Sequence, residues 1–270
     1  MKTHMRLRDI QKKADEDQPI VMLTAYDYTF ASLIDECEVD IVLVGDSLAC
    51  AVRGEENTLA VTLDEMIYHS RMVSKACKRS LVVSDMPFMS YQSGPRDALL
   101  AAGRLVKESA VAAVKLEGGK ELARTIKTIV RSGIPVLGHV GLLPQHYHAL
   151  SGYRVQGKTS EGRNKIIADA IAVQEAGAFG LVIECVPEDL AQEITSLVSI
   201  PTIGIGAGPH TSGQVLVLHD LLGLHPQIEH VAPKFVRAYA ELGLEVSEAV
   251  KKFSRDVRSR QFPESKQSRE

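Results

Sequence analysis

The stretch from Ala113 to His139, AVKLEGGKELARTIKTIVRSGIPVLGH, holds two short apolar runs with one amphipathic segment between them. Ala113 to Leu116 is brief and broken only by Lys115, and it stops at Glu117, as a buried strand reaching a polar end would. Glu121 to Arg131 has helical periodicity, and Gly133 with Pro135 end it before the next run, Pro135 to Gly138. The unit is strand, helix, strand.

Working outward, the same unit recurs in both directions. Earlier strand candidates are Ile20 to Thr24, Ile41 to Gly45 and Leu81 to Ser84; later ones are Gly180 to Ile183, Thr202 to Ile205 and Val215 to Leu218. Leu63 to Cys77, Arg96 to Ser109 and Asn164 to Glu175 are the other main helix candidates. Near-continuous apolar strands alternating with helices indicate a parallel sheet covered on its faces. About eight such units suit a closed (β/α)8 TIM barrel better than an open doubly wound sheet. The eighth strand is the weakest, because Val215 to Leu218 could equally begin a helix. No linker divides the 270 residues, so they read as one domain, 1–270. A polar segment covers about 1–18, and a charged tail, about 254–270, is expected to fray.

Composition narrows the function. A formal charge of −3 offers no basic field for nucleic acid. No run approaches the ~20 apolar residues of a membrane span, and Met1 to Gln18 lacks the apolar core of a secretory signal. A cytoplasmic enzyme or binding protein remains. Cys37, Cys50, Cys77 and Cys185 have no metal-type spacing and read as small buried residues in a reducing compartment.

In a barrel the C-terminal ends of the strands build the site. Here they carry Thr24 and Asp27, Asp46 and Ser47, Asp85, Lys115 and Glu117, His139, and Glu184. Each carboxylate taken singly fits a helix cap. Four at successive strand ends, in VLVGDS, LVVSDM, AVKLEGG and LVIECVP, would crowd like charges round one mouth, and a hard cation such as Mg2+ or Mn2+ is the simplest neutraliser. Lys115 and Glu117, two apart on a strand, share a face and point to function rather than to a buried ion pair. Glu184 is open between two roles: a partly buried general base, or a surface residue of the next helix's first turn. PTIGIGAG from Pro201 could hold phosphate, but close strand–helix packing is the default. His139 is a candidate substrate contact, whereas His146 and His148, after Pro144, read as loop residues and bystanders.

Taken with their surroundings, these segments resemble the ketopantoate hydroxymethyltransferase family. The likeness runs through MLTAYDYTFA from Met22, VGDSLA from Val44, TLDEMIYHSRMV from Thr62, SDMPFMSY from Ser84, AVKLEGG from Ala113, PVLGHVGLLPQ from Pro135, GYRVQGK from Gly152, LVIECVP from Leu181, IPTIGIGAG from Ile200 and PKFVRAYAELG from Pro233. It departs at Ala49, where the family has glycine, and in the tail. The resemblance implies a TIM barrel of the phosphoenolpyruvate mutase/isocitrate lyase-like type. It implies Asp46 and Asp85 as direct Mg2+ ligands, with Glu117 through or beside water. Asp46, Ser47, Asp85 and Lys115 would bind 3-methyl-2-oxobutanoate, with His139 nearby, and Glu184 would be the catalytic base. It further implies 5,10-methylenetetrahydrofolate as one-carbon donor and a homo-oligomer, typically a decamer. The alternative is another Mg2+-dependent 2-oxo-acid lyase of the mutase/isocitrate lyase group, but its reactive-cysteine loop is missing here.

Overall fold

Eight parallel strands close on themselves in chain order, and the first pairs with both the second and the eighth. The computed structural model describes residues 4–224 and 233–263. The elements run α1 (Leu7–Asp15), β1 (Ile20–Thr24), α2 (Tyr28–Glu36), β2 (Ile41–Val44), α3 (Leu48–Ala51), α4 (Leu63–Ala76), β3 (Leu81–Asp85), α5 (Pro95–Ser109) and β4 (Ala113–Lys115). They continue as α6 (Ala123–Arg131), β5 (Val136–Gly141), α7 (Tyr147–Leu150), α8 (Ser160–Glu175), β6 (Gly180–Glu184), α9 (Glu188–Leu197), β7 (Thr202–Ile205) and β8 (Gly213–Leu216). The last two are α10 (Leu218–Leu221) and α11 (Leu242–Arg258).

Strand periodicity decides what fills the barrel. Ile20 and Met22, Ile41 and Leu43, Leu81 and Val83, with Ala113, Leu137, Val182, Ile203 and Val215, form one interior cluster. Residues of opposite parity, such as Val42, Val82, Val114, Leu181 and Ile183, are buried as well, as strands sandwiched between an aliphatic interior and a helical coat require. One step further along the interior columns the chemistry changes. Asp85 lies two residues after Val83, Lys115 two after Ala113, His139 two after Leu137 and Glu184 two after Val182. The floor is therefore apolar and the mouth ionisable.

α1 closes the floor. Ile10 belongs to the interior cluster, Met5, Leu7 and Ala14 pack against it, and Lys13 holds buried Asp40 at 2.6–2.7 Å. The segment that reads only as polar in sequence is thus a plug, with apolar side chains on the face it turns to the strands.

Backbone contacts gather into two compact units, Met1–Val217 and Leu218–Glu270, and the barrel is complete within the first. In the second, Gly223 takes a left-handed φ of 61°, and an added Cβ would stand 2.6 Å from the carbonyl oxygen of Ala240. α11 buries none of its residues and exposes Val246, Val250, Phe253 and Val257 at helical spacing. The expected frayed tail begins too early, since Ser254 to Arg258 complete this helix; residues 264–270 lie outside the described ones. The ambiguity at Val215 resolves both ways: β8 ends at Leu216 and a helix starts at Leu218. Of the four cysteines, which form no disulfide, only Cys77 is buried, while Cys37 is exposed. Among the described residues no helix is long and apolar enough to cross a membrane.

Candidate active site

The expected site residues converge. Asp46, Ser47, Asp85, Lys115, Glu117, His139 and Glu184 line one cavity of about 120 Å3 at the C-terminal ends of the strands. Asp46, Asp85, Lys115, Glu117 and His139 are buried, while Ser47 and Glu184 are partly open. A wider hollow of about 530 Å3, lined by Lys120, Arg124, Lys127 and Ala168, holds none of these groups.

Capping explains one of the strand-end acids and fails for the rest. Asp27 accepts from the Phe30 amide and caps α2. Ser47 precedes α3 without a side-chain capping bond and instead lies 2.9 Å from the Tyr26 hydroxyl. Asp85 Oδ2 accepts the backbone N–H of Asp46 at 3.0 Å, which fixes the two carboxylates side by side. Gly45 leaves room beside them for the Ser47 hydroxyl, because a Cβ there would sit 2.6 Å from Ser47 Oγ. PTIGIGAG serves packing: Gly208 has a φ of 77°, and an added Cβ would fall 2.4 Å from Glu188 Cγ.

A continuous polar chain crosses the cavity. Lys115 Nζ is 3.0 Å from Asp85 Oδ1 and 3.3 Å from His139 Nδ1. His139 Nε2 is 3.1 Å from Glu184 Oε2, and Nδ1 is 3.9 Å from Glu117 Oε1. An ammonium can only donate, so Nδ1 is the imidazole's acceptor and the ring proton belongs on Nε2, facing Glu184. Burial, reinforced by the Lys115 charge, holds the His139 pKa below the usual imidazole value, in keeping with a neutral ring.

The charge around this chain does not balance. Four carboxylates face one ammonium. Burial, then the neighbouring Asp85, pushes Asp46 up to about 7. Burial and Asp46 raise Glu117 well above the ordinary carboxylate range. Burial alone would lower Lys115, but Asp85, Glu117 and Asp46 outweigh it and keep the ammonium charged. Buried carboxylates that resist ionisation beside one another are the setting in which added positive charge is most strongly bound. The donors are all oxygen, which fits a hard divalent cation. Among the described residues no three acidic, histidine or cysteine side chains gather into a complete metal cluster. The carboxylates could therefore supply only part of a shell, leaving the remainder to water or substrate oxygens, as Mg2+ commonly has it.

Sequence reasoning missed the residue that organises the acids. Gln145 Nε2 donates to Asp46 Oδ2 at 2.9 Å and to the Met86 carbonyl at 3.0 Å, and its backbone N–H donates to Glu117 Oε2 at 3.0 Å. Its own carbonyl accepts from the Tyr91 hydroxyl at 2.6 Å and from Gln92 at 2.9 Å. A neutral amide leaves no charge signature; the available signal was its place just past Pro144, at the mouth end of β5. His146 and His148, expected in a loop, fall in a 3-10 turn (Pro144–His146) and in α7, and both are exposed.

Comparison with known proteins bears on this geometry. The family model for ketopantoate hydroxymethyltransferase matches residues 4–265. A 3-methyl-2-oxobutanoate hydroxymethyltransferase from Geobacter sulfurreducens is 51% identical over 255 residues, 94% of each chain. One from Clostridium beijerinckii is 49% identical over 252 residues, 93% of this chain and 90% of the relative. Among solved structures, 2,3-dimethylmalate lyase, a PEP mutase/isocitrate lyase superfamily member, aligns with a TM-score of 0.63 at 16% identity, covering 98% of this chain and 89% of that one. Phosphonopyruvate hydrolase aligns at 0.61 and 11%, covering 94% and 88%. The structural likenesses establish the barrel type, and the sequence match is of a different order: the chain belongs to the ketopantoate hydroxymethyltransferase family.

Proposed function

We propose that this chain transfers a hydroxymethyl group from 5,10-methylenetetrahydrofolate to 3-methyl-2-oxobutanoate, giving 2-dehydropantoate (ketopantoate) for pantothenate and coenzyme A biosynthesis. The observation that carries the proposal is the pairing of Glu184 with a neutral His139, beside buried acids that lack compensating charge. In this reading Asp46 and Asp85 hold Mg2+, and Glu117 meets it through water. Mg2+ there would draw electron density from the keto group and offset charge developing on its oxygen. Lys115 and Ser47 contact the acid's oxygens; the ammonium contributes a charge-assisted hydrogen bond in a site shielded from water. Glu184 removes the C3 proton, with His139 Nε2 lying 3.1 Å from its carboxylate. The resulting enolate carbon attacks the donor's methylene carbon; that carbon's bonds to the folate nitrogens break, water supplies the hydroxyl, and tetrahydrofolate leaves carrying the proton. Thr24, Leu43, Val182 and Val215 wall the cavity, which suits the isopropyl end of a five-carbon acid.

We place the enzyme in the cytoplasm as a homo-oligomer, and the apolar side of α11 is surface that assembly would cover. The test uses protein, 3-methyl-2-oxobutanoate and Mg2+ in heavy water. The C3 hydrogen should exchange without folate, and ketopantoate should form when the donor is added. Chelator should stop both and Mg2+ restore them. Full turnover by exhaustively metal-stripped protein would overturn the metal assignment.

A further inference from the structure

The cavity of about 120 Å3 accommodates a small keto acid but not a fused bicyclic ring, because sites for ligands of that size run to roughly 300 Å3 or more. The donor must therefore rest on the rim, with its methylene directed inward. One rim segment is tied to the catalytic groups at both ends. At its start Gln145 bonds to Asp46 and Glu117. At its end the Gln156 N–H donates to the carbonyl of Cys185, the residue after Glu184, at 2.8 Å. Cys185 itself takes a left-handed φ of 47°, so the chain turns sharply as it leaves the base.

Between these anchors stand two tyrosines. The rings of Tyr147 and Tyr153 meet edge to face, 5.2 Å apart at 62°. The Gly152 N–H closes the turn onto the Tyr147 carbonyl at 3.0 Å, which fixes the spacing of the pair. Tyr153 remains 48% exposed, a large aromatic surface left open. Burial of its other half, then the charges of Cys50, Asp46 and Glu184, push its phenol upward. The bonds of Gln145 to Asp46 and Glu117, and of Gln156 to the Cys185 carbonyl, hold the segment that carries this ring at the rim.

We propose that Tyr153, braced edge-on by Tyr147, is the stacking platform for the pterin ring of the one-carbon donor. This rests on the function proposed above, and it names the donor's subsite. An edge-braced, half-exposed aromatic offers a planar apolar surface at low entropic cost, as planar ligands require, and the anchors at Gln145 and Cys185 keep it on the rim of the keto-acid cavity.

The test measures tetrahydrofolate binding by titration calorimetry, together with donor KM and folate-free C3 exchange. Tyr153→Phe keeps the ring, and its tetrahydrofolate affinity and donor KM should stay within about twofold of wild type. Tyr153→Leu keeps bulk but loses the aromatic face, and should weaken tetrahydrofolate and raise donor KM about tenfold. Keto-acid KM and exchange should then stay within about twofold in both variants. Wild-type donor affinity in Tyr153→Leu would overturn the platform, as would exchange and donor binding falling together, which would mark the ring as a prop for the mouth. A wild-type protein that shows neither exchange nor turnover would overturn the proposed function and the platform with it.

Discussion

The two ends of this barrel bury carboxylates in opposite ways. At the floor, Asp35 accepts backbone N–H bonds from Lys78, Arg79 and Ser80 at 2.8–3.2 Å, and Asp40 is held by Lys13 and the Val21 amide. Burial acts to raise Asp35, but those amides prevail and its pKa lies below the ordinary value. At the mouth, burial drives Asp46 and Glu117 upward, and the acids each faces add to it while they share one lysine. A buried acid with its own donors is part of the frame. A buried acid left under-compensated is a site awaiting charge. Acids have little accessible surface at both ends, and their partners set them apart.

The largest effect should come from the mouth. Glu184→Gln preserves size and the contact to His139 but cannot accept a proton. Folate-free C3 exchange and ketopantoate formation should both fall by ~10²–10⁴, with keto-acid affinity near wild type. Melting should move little, since Glu184 is partly open and belongs to no packed layer. If exchange continued at the wild-type rate, Glu184 would not be the base and His139 would be the next candidate.

The division between the two ends was only half legible in the sequence. Strands and their order were readable because each apolar run is short and bounded by Gly, Pro or a charge, and the polar residue ending each interior column marked the mouth. Glu184 was ambiguous because a lone strand-end acid has the same sequence appearance as a first-turn helix residue; the nearby His139 distinguishes them only in space. Asp27 and Asp46 look equivalent in sequence, yet one caps a helix and the other lines the cavity. Gln145 went unnoticed since its role lies in geometry alone. The plug formed by α1 was hidden because one side chain, Ile10, does most of the sealing within a charged segment.

At the floor the expected loss is in stability. Asp35→Ala leaves the amides of residues 78–80 without their acceptor, Ser80 among them fully buried. Unfolding free energy should drop by about 2–4 kcal/mol, with activity per folded molecule unchanged. Its pH behaviour has a defined sign. The folded-state pKa is depressed, so the charge contributes fully above the unfolded value of 3.8 and is lost as pH falls from there through the folded value. The gap between wild type and Asp35→Asn, followed by denaturant titration, should be constant near neutrality and close in acid. A gap that widened in acid would assign the stabilisation to shape rather than charge.

The smallest change in stability among the buried acids should also be the most discriminating, because it reverses sign. Asp46→Asn retains a carbonyl oxygen for the Gln145 amide but removes the like charge beside Asp85. Burial and Asp85 together outweigh the attraction of Lys115 at this carboxylate. The metal-free variant should therefore melt about 2–4 °C above metal-free wild type at pH 8, the shift expected for roughly 1 kcal/mol in a domain of this size. Mg2+ should then raise the melting temperature of wild type and not of the variant, since a ligand stabilises only the fold that binds it. Turnover by the variant should be lost despite its greater stability. Melting lower than wild type, as Asp35→Asn should, would place Asp46 with the structural acids and remove the contrast between the two ends of the barrel.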